Sequence, residues 1–292
     1  MRLRFKMTSA ERWTLMDKAY PSRKQKHCAG FLASLPACIL FIAISPQVFS
    51  AITLSHAEAL RIAKRIWQNE CNGTVSGLTS WNTGEDFASL GIGHFIWYPE
   101  GKRGPFEESF PKLMKFVSDR GADVPSWLQN ARACPWQSQS DFRRAQNSPE
   151  LKALRDFLVH TVDLQAQFLV DRLQNALPKM LEETAPSNRV HVQEQFQRMS
   201  SSAKGCYALV DYVNFKGEGV LHTERYRGEG WGLLQVLEDI HGTGNGSSAV
   251  EEFARSASAI LTRRVKNSPP ERNESRWLPG WINRVNSYAR DW

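Results

Sequence analysis

The sequence predicts a mainly α protein, α+β in class, built as a helical bundle with a small β-hairpin lobe near its N-terminal end. Three observations lead there. In "LKALRDFLVHTVDLQAQFLVDRLQNALPKML", residues 151–181, apolar residues recur three and four apart, the spacing of one helix face. Helix-start signals stand before several runs of this kind. One segment alone, "GEDFASLGIGHFIWYP" at 84–99, has little helical pattern and reads as a short strand or hairpin.

The elements follow in order. Residues 1–50 read as a targeting segment, a signal peptide or a membrane anchor. Arg23, Lys24 and Lys26 precede an uncharged run from Cys28 to Ile44, and Val48 and Ser50 fit the small-residue rule for cleavage after Ser50. The basic region ahead of the run is long, so Met16 is a second candidate start. Pro36 interrupts the run, and about 20 apolar residues are wanted for a span, which favours cleavage over anchoring. Residues 51–292 are then one domain of two lobes. Ser55 and Glu58 form a capping box, with Leu54 as a staple residue, and Leu60, Ala63, Ile66 and Trp67 recur at helical spacing until Asn72-Gly73 ends the helix. A turn-rich stretch, 72–86, leads into the extended segment. A helix is expected after Pro111. Ser148-Pro149-Glu150 starts the central helix, expected to run unbroken for about 30 residues. "NRVHVQEQFQRMS", "GCYALVDYVNF" and "WGLLQVLEDI" read as further helices. So does "SAVEEFARSASAILTRRV", with a second Ser-x-x-Glu box, and so does "LPGWINRVNSYA". "KGEGVLHTERYRGEG" is a charged, glycine-rich loop.

Composition excludes some classes. Net charge is +7, but residues 1–50 hold eight Lys/Arg and two Asp/Glu, so six of those charges sit there. The body is close to neutral and carries no basic excess of the kind nucleic acid selects. The ten tryptophans suit a large core or a sugar-stacking cleft. After residue 50 three cysteines remain. Cys71 and Cys134 both lie next to loop signals, Asn72-Gly73 and Pro135, and are the expected disulfide in an oxidising compartment. Cys206 opens an apolar helical pattern and reads as a buried free thiol. No metal spacing appears. His160 and Asp163 lack a third ligand, no Gly-x-Ser-x-Gly elbow is present, and no cofactor is implied.

Several residues are placed to carry chemistry. Glu70 lies three residues after Trp67, four after Ile66 and seven after Ala63, at the end of a core-facing stripe. Burial there would raise a carboxyl pKa towards what a general acid needs; the plainer reading is a glutamate turned to water. In an extended run Ser89, Gly91 and Gly93 share one face, which makes a cleft wall or a tightly packed strand. Phe95, Trp97 and Tyr98 offer stacking surface for sugar rings, or core. Arg225, Tyr226 and Arg227 sit in a glycine-bounded loop and could meet acidic groups.

The run "Glu … GEDFASLGIGHFI" resembles the signature of phage-type lysozymes in the lysozyme-like superfamily. In that family a catalytic glutamate at the end of a first helix is followed by a β-hairpin ending in Gly-Ile-Gly-His. Here these would be Glu70 and Gly91-Ile92-Gly93-His94, with Ser89 five residues before the histidine. The resemblance implies that Glu70 protonates the glycosidic oxygen, that Ser89 helps hold the attacking water, and that His94 is more structural than catalytic. "CYALVDYVNFKGEG" resembles the family helix whose end lies beside the cleft, which makes Asn214 a candidate. The family's aspartate, eleven residues before the histidine, falls on Thr83. Glu85 is then the first choice for base or stabiliser, Asp86 the second, and Glu229 a candidate from across the cleft. The match covers about 30 residues.

The expectation is a periplasmic or secreted glycoside hydrolase that cleaves β-1,4 bonds of peptidoglycan or a related polysaccharide. Its contact with membrane would arise only from an uncleaved leader, as an inner-membrane anchor. Two rivals stand beside it. One is a lytic transglycosylase, which needs the single acid Glu70. The other is a non-catalytic envelope protein that binds glycan or protein on the same scaffold.

Overall fold

Ser55 and Glu58 open the first helix as their spacing predicts. The Ser55 hydroxyl accepts from the Glu58 amide at 3.3 Å, and the Glu58 carboxylate accepts from the Ser55 amide at 2.8 Å. The helix, α1 (His56–Cys71), stops where Asn72 turns left-handed at φ 52. The structure, a computed structural model, describes residues 52–104 and 106–290. The expected targeting segment and its cleavage point lie outside the described residues.

Three short strands follow: β1 (Thr79–Ser80), β2 (Ala88–Leu90) and β3 (Phe95–Trp97). They form one antiparallel sheet in the order β1-β2-β3, with Ser89 opposite Ser80 on one side and Ile96 on the other. The hairpin is therefore the larger part of a three-stranded sheet. β1 lies in the stretch read only as turns, because two residues carry no alternation to see. The Arg155 Nε donates to the Thr79 hydroxyl at 2.8 Å and ties β1 to the helix layer.

The helices run on as α2 (Phe110–Ser118), α3 (Ser126–Gln129), α4 (Gln139–Arg144), α5 (Pro149–His160) and α6 (Val162–Glu183). The expected single central helix is thus two, broken at Thr161. Gln165, fully buried, accounts for the break. Its Nε2 donates to the Leu158 carbonyl at 2.7 Å and to the Thr161 hydroxyl at 3.1 Å, so the polar groups at the break stay satisfied. Apolar spacing continues through the break, and the sequence pattern cannot register it.

Then come α7 (Arg189–Ser200) and α8 (Ala203–Lys216), followed by a two-stranded hairpin, β4 (Arg225–Tyr226) with β5 (Glu229–Gly230), inside the charged loop. α9 (Leu233–Asp239), α10 (Ser247–Asn267) and α11 (Leu278–Ser287) complete the described chain. The second Ser-x-x-Glu box does not form. α10 starts two residues early, with Gly246 and not Ser248 as its N-cap, and the Ser248 hydroxyl donates to Asn245 O instead. α1 packs on α6 and α8, while α10 packs on α8, α9 and α11. α8 is buried on nearly all sides, which is why its pattern is almost uniformly apolar. A single hydrophobic core runs from the sheet through α6 and α8 to α10. Among the described residues, no helix is long and apolar enough to cross a membrane.

The expected Cys71–Cys134 bridge is absent. Both thiols are free and buried, each with its own neighbours. The Cys71 Sγ faces the Gly91 carbonyl at 3.5 Å, and Cys134 pairs by backbone with Pro99 and Tyr98. Burial, reinforced at Cys71 by Glu70, pushes both thiols up to about 12, so neither is a ready thiolate. Cys206 is buried and free, as its apolar helix predicts.

Candidate functional site

Glu70 occupies the last turn of α1, and three other parts of the chain converge on it. From α11, Arg284 Nη2 donates to Glu70 Oε1. From α8, Asn214 Nδ2 donates to the same oxygen at 3.4 Å. From the turn between β2 and β3, His94 Nδ1 stands 3.6 Å from Glu70 Oε2. The carboxylate is mostly covered, with 16 % of its side chain exposed. Its Oε1 is therefore loaded with two donors. Its Oε2 has no hydrogen bond among the described residues, since 3.6 Å lies beyond hydrogen-bonding range.

Behind Glu70 lies a second carboxylate that sequence reading missed. Asp211 of α8 is fully buried. It accepts from Arg284 Nε and Nη2, each at 2.8 Å, from the Tyr288 hydroxyl at 2.6 Å and from Asn69 Nδ2 at 3.0 Å. This is the condition a buried charge must meet: a paired counter-ion and filled lone pairs. Burial opposes the charge on Arg284, but Asp211, and then Glu70, outweigh it and hold the guanidinium protonated far above its ordinary range. Burial, helped by Asp211, also pushes the Tyr288 hydroxyl well up. The one signal in sequence was a lone aspartate inside "CYALVDYVNF", since an acid on an all-buried helix requires a partner. Nothing in the sequence said that the partner would come from position 284.

The turn Gly91-Ile92-Gly93-His94 aims the histidine. It is a turn and not an extended run, so Ser89, Gly91 and Gly93 do not share a face as expected. Gly91 has φ +70, and a Cβ there would meet Gln165 Oε1 at 2.5 Å; one on Gly93 would meet the Phe95 ring at 2.8 Å. The close approach that these glycines allow is made by the protein itself. Gln165 Oε1 accepts from the Ile92 amide at 2.9 Å, so the side chain that satisfies the break between α5 and α6 also fixes this turn. His94 takes φ 49 to leave it, and its Nε2 is buried without a partner among the described residues.

The remaining candidates separate. Ser89 is buried in the central strand on the face away from Ala88 and Leu90, both core residues. Trp97 and Tyr98 are 2 % and 5 % exposed. Trp97 packs on Phe110, and Tyr98 packs edge-on against Phe87. Neither ring offers a face to a sugar, which corrects the stacking expectation for these two. Glu85 and Asp86 lie in the turn before β2, and neither joins the Glu70 cluster. Glu85 Oε2 accepts from Asn82 Nδ2 at 3.1 Å within that turn, and Asp86 is exposed. Glu229 is exposed on β5 and pairs with Arg263 of α10 at 2.7 Å. Arg225, on β4, lies opposite Gly230 and is partly buried, and Tyr226 is the residue opposite Glu229. Of the candidates named from sequence, the structure brings His94 and Asn214 to Glu70.

Aromatic surface beside the cluster comes from elsewhere. The Arg284 guanidinium lies 4.2 Å from the Phe215 ring, and Phe215 packs against Trp281, which stacks on the exposed Trp277. Lys216 is set between these rings, its Nζ 3.3 Å from the Trp281 centroid and 3.9 Å from that of Phe215. Burial, and then the charge of Arg264, bring its ammonium down to about 6, against the pull of Glu274. The ring faces favour the charged form, so Lys216 is balanced between two opposed effects. Comparison with protein-family models, with curated proteins and with solved structures gives no match.

Proposed function

We propose that the protein is a periplasmic or secreted glycosidase that cleaves β-1,4 bonds in peptidoglycan, with Glu70 as the general acid. One observation carries the reading: among the described residues, one oxygen of Glu70 accepts from Arg284 and Asn214 and the other has no hydrogen bond. Oε1 is thereby fixed in place, and a proton carried by the carboxyl would sit on Oε2. An acid must be held rigidly yet keep one oxygen for the leaving group. The sequence resemblance to phage-type lysozymes points to the same glutamate. In this reading Glu85 is the proposed second carboxylate, Asp86 its substitute, and Ser89 the proposed hydroxyl for the attacking water.

A second reading, the lytic transglycosylase, is favoured by a separate observation. Glu85 holds its own turn through Asn82, and Asp86 is exposed, so neither is organised together with Glu70. An intramolecular route needs a single acid, whereas hydrolysis in general uses two carboxylates.

The test is product release from purified peptidoglycan by the parent protein and by Glu70→Gln. Reducing-end products from the parent alone, with Glu70→Gln reduced by at least about 100-fold, are the expected outcome. Anhydro-ended products would assign the lytic route. No release from either protein, with both still sedimenting on peptidoglycan, would leave a binding protein and sink the enzyme reading.

A further inference from the structure

Away from the Glu70 cluster, a charged group is set into the fold without a hydrogen-bonding partner among the described residues. Arg172 of α6 is partly buried and makes no hydrogen bond or ion pair among the described residues. Its guanidinium stands 6.0 Å from the Phe168 ring. Burial works against its charge, and Glu107 and Glu218 support it only through space.

Arg172 lines a cavity of about 380 Å³ whose apolar walls include Phe106, Val220 and Leu221. Phe106 and Leu221 are also among the large hydrophobic residues most exposed to solvent. Of the other four charged residues around the cavity, three are held in pairs. Lys179 Nζ donates to both oxygens of Glu218 at 2.9 and 3.1 Å, and Glu107 is held by Lys112. Among the described residues Glu224 has no ion pair. Burial, reinforced by Glu218, pushes its carboxyl up towards the neutral form. The cavity therefore presents one fork of guanidinium donors with no hydrogen-bonded acceptor among the described residues, beside apolar surface, which is the chemistry that receives a carboxylate.

Its position matters as much as its lining. Val213 and Gly217, which also line the cavity, flank the last turn of α8, and that turn carries Asn214, a ligand of Glu70. The cavity and the Glu70 carboxylate thus adjoin a single helical turn, about 5 Å in rise. A polymer lying at Glu70 would reach the cavity with a branch.

We propose that this cavity binds the free carboxylate of a short peptide branch carried by the glycan, with Arg172 as its bidentate partner and Phe106 and Leu221 as its apolar walls. The proposal rests on the glycan reading above and deepens it. Arg172 selects peptide-bearing strands over bare ones.

The test is direct binding, measured by calorimetry on the full chain and independent of cleavage. The probe is a soluble N-acetylmuramyl dipeptide ending in a free carboxylate, compared with the same compound amidated at that group and with N-acetylmuramic acid alone. The parent should bind the acid and bind the amide about tenfold more weakly. Arg172→Gln should lose about tenfold for the acid and little for the amide, while Arg172→Lys falls between. Phe106→Ala, which leaves the guanidinium in place, should weaken acid and amide alike and guards against a folding defect in the arginine variants. Equal binding of acid and amide, no binding of either, or an Arg172→Gln indistinguishable from the parent would overturn the proposal. Equal competition by N-acetylmuramic acid would overturn the peptide as the source of the carboxylate. Arg172-dependent binding in a protein that releases nothing from peptidoglycan would sink the enzyme reading and spare this one. Release from peptidoglycan without such binding would do the reverse.

Discussion

Two stretches on either side of β1 carry carboxylates, and the fold treats them differently. Glu70, at the end of α1, is gathered into a network that joins α8, α11 and the β2–β3 turn. Glu85 and Asp86 stay in their own turn, where Glu85 meets Asn82 three residues away and Asp86 faces water. The difference teaches what fixes an acid in place. A local contact between neighbours on an exposed turn restrains one side chain weakly. A contact that spans more than two hundred residues of chain, as Glu70 to Arg284 does, exists only when the whole bundle is assembled.

The most severe way to break the comparison is Arg284→Met. It leaves Asp211 fully buried with no counter-ion and removes the clamp on Glu70. Breaking such a pair should cost about 3–5 kcal/mol, read as a shift in the urea midpoint. Full stability in this variant would show that the network contributes nothing. Next comes Gly91→Ala. The new Cβ would press on Gln165 at a left-handed φ, and a loss of about 1–3 kcal/mol is expected by thermal unfolding. The variant should also impair any activity of Glu70, because the same turn places His94.

Lys216→Met sharpens the comparison through pH. The folded state lowers the lysine to about 6, far under its unfolded value near 10.4. Between these values the unfolded chain binds more protons, so the parent gains stability as pH rises. Below about 6 both states are protonated and the full cost of burying the charge is felt. Lys216→Met should lack this rise, whose slope in the parent is at most about 1.4 kcal/mol per pH unit. Parallel stability curves for the two proteins between pH 6 and 10 would show that the ring contacts with Trp281 and Phe215 hold the ammonium charged. The smallest effect belongs to Glu85→Gln, with a stability change within about 0.5 kcal/mol. If Glu85 is the second carboxylate, cleavage should fall sharply in a protein whose melting temperature is unmoved. Unchanged cleavage in Glu85→Gln and Asp86→Asn together would favour the single-acid route.

Much of the helical framework was legible in the sequence. The capping box at Ser55, the left-handed stop at Asn72 and the Ser148 start are local devices, complete within four residues, and all three form as written. The extended segment at 84–99 was legible as β because its pattern has no helical period. The break at Thr161 was not, because it depends on Gln165 turning back to a carbonyl of the preceding helix. The disulfide expectation failed for the same reason: adjacency to loops is local, whereas meeting another thiol is not. The aromatic block at 95–98 misled because stacking surface and core surface have one composition, and only packing separates them.

For the site, sequence alone determined that Glu70 would end a helix stripe and that two glycines would stand just ahead of His94, though their turn was read as an extended run. Both are matters of spacing along a few residues. Only the tertiary structure decided that Asp211 and Arg284 would stand behind that glutamate, that Trp97 would be core, and that Trp281 would supply the nearby ring. Those outcomes depend on which side chains can share a counter-ion or fill a void across distant helices. A buried charge has few permitted partners, and the chain does not declare which one it will meet until it has folded.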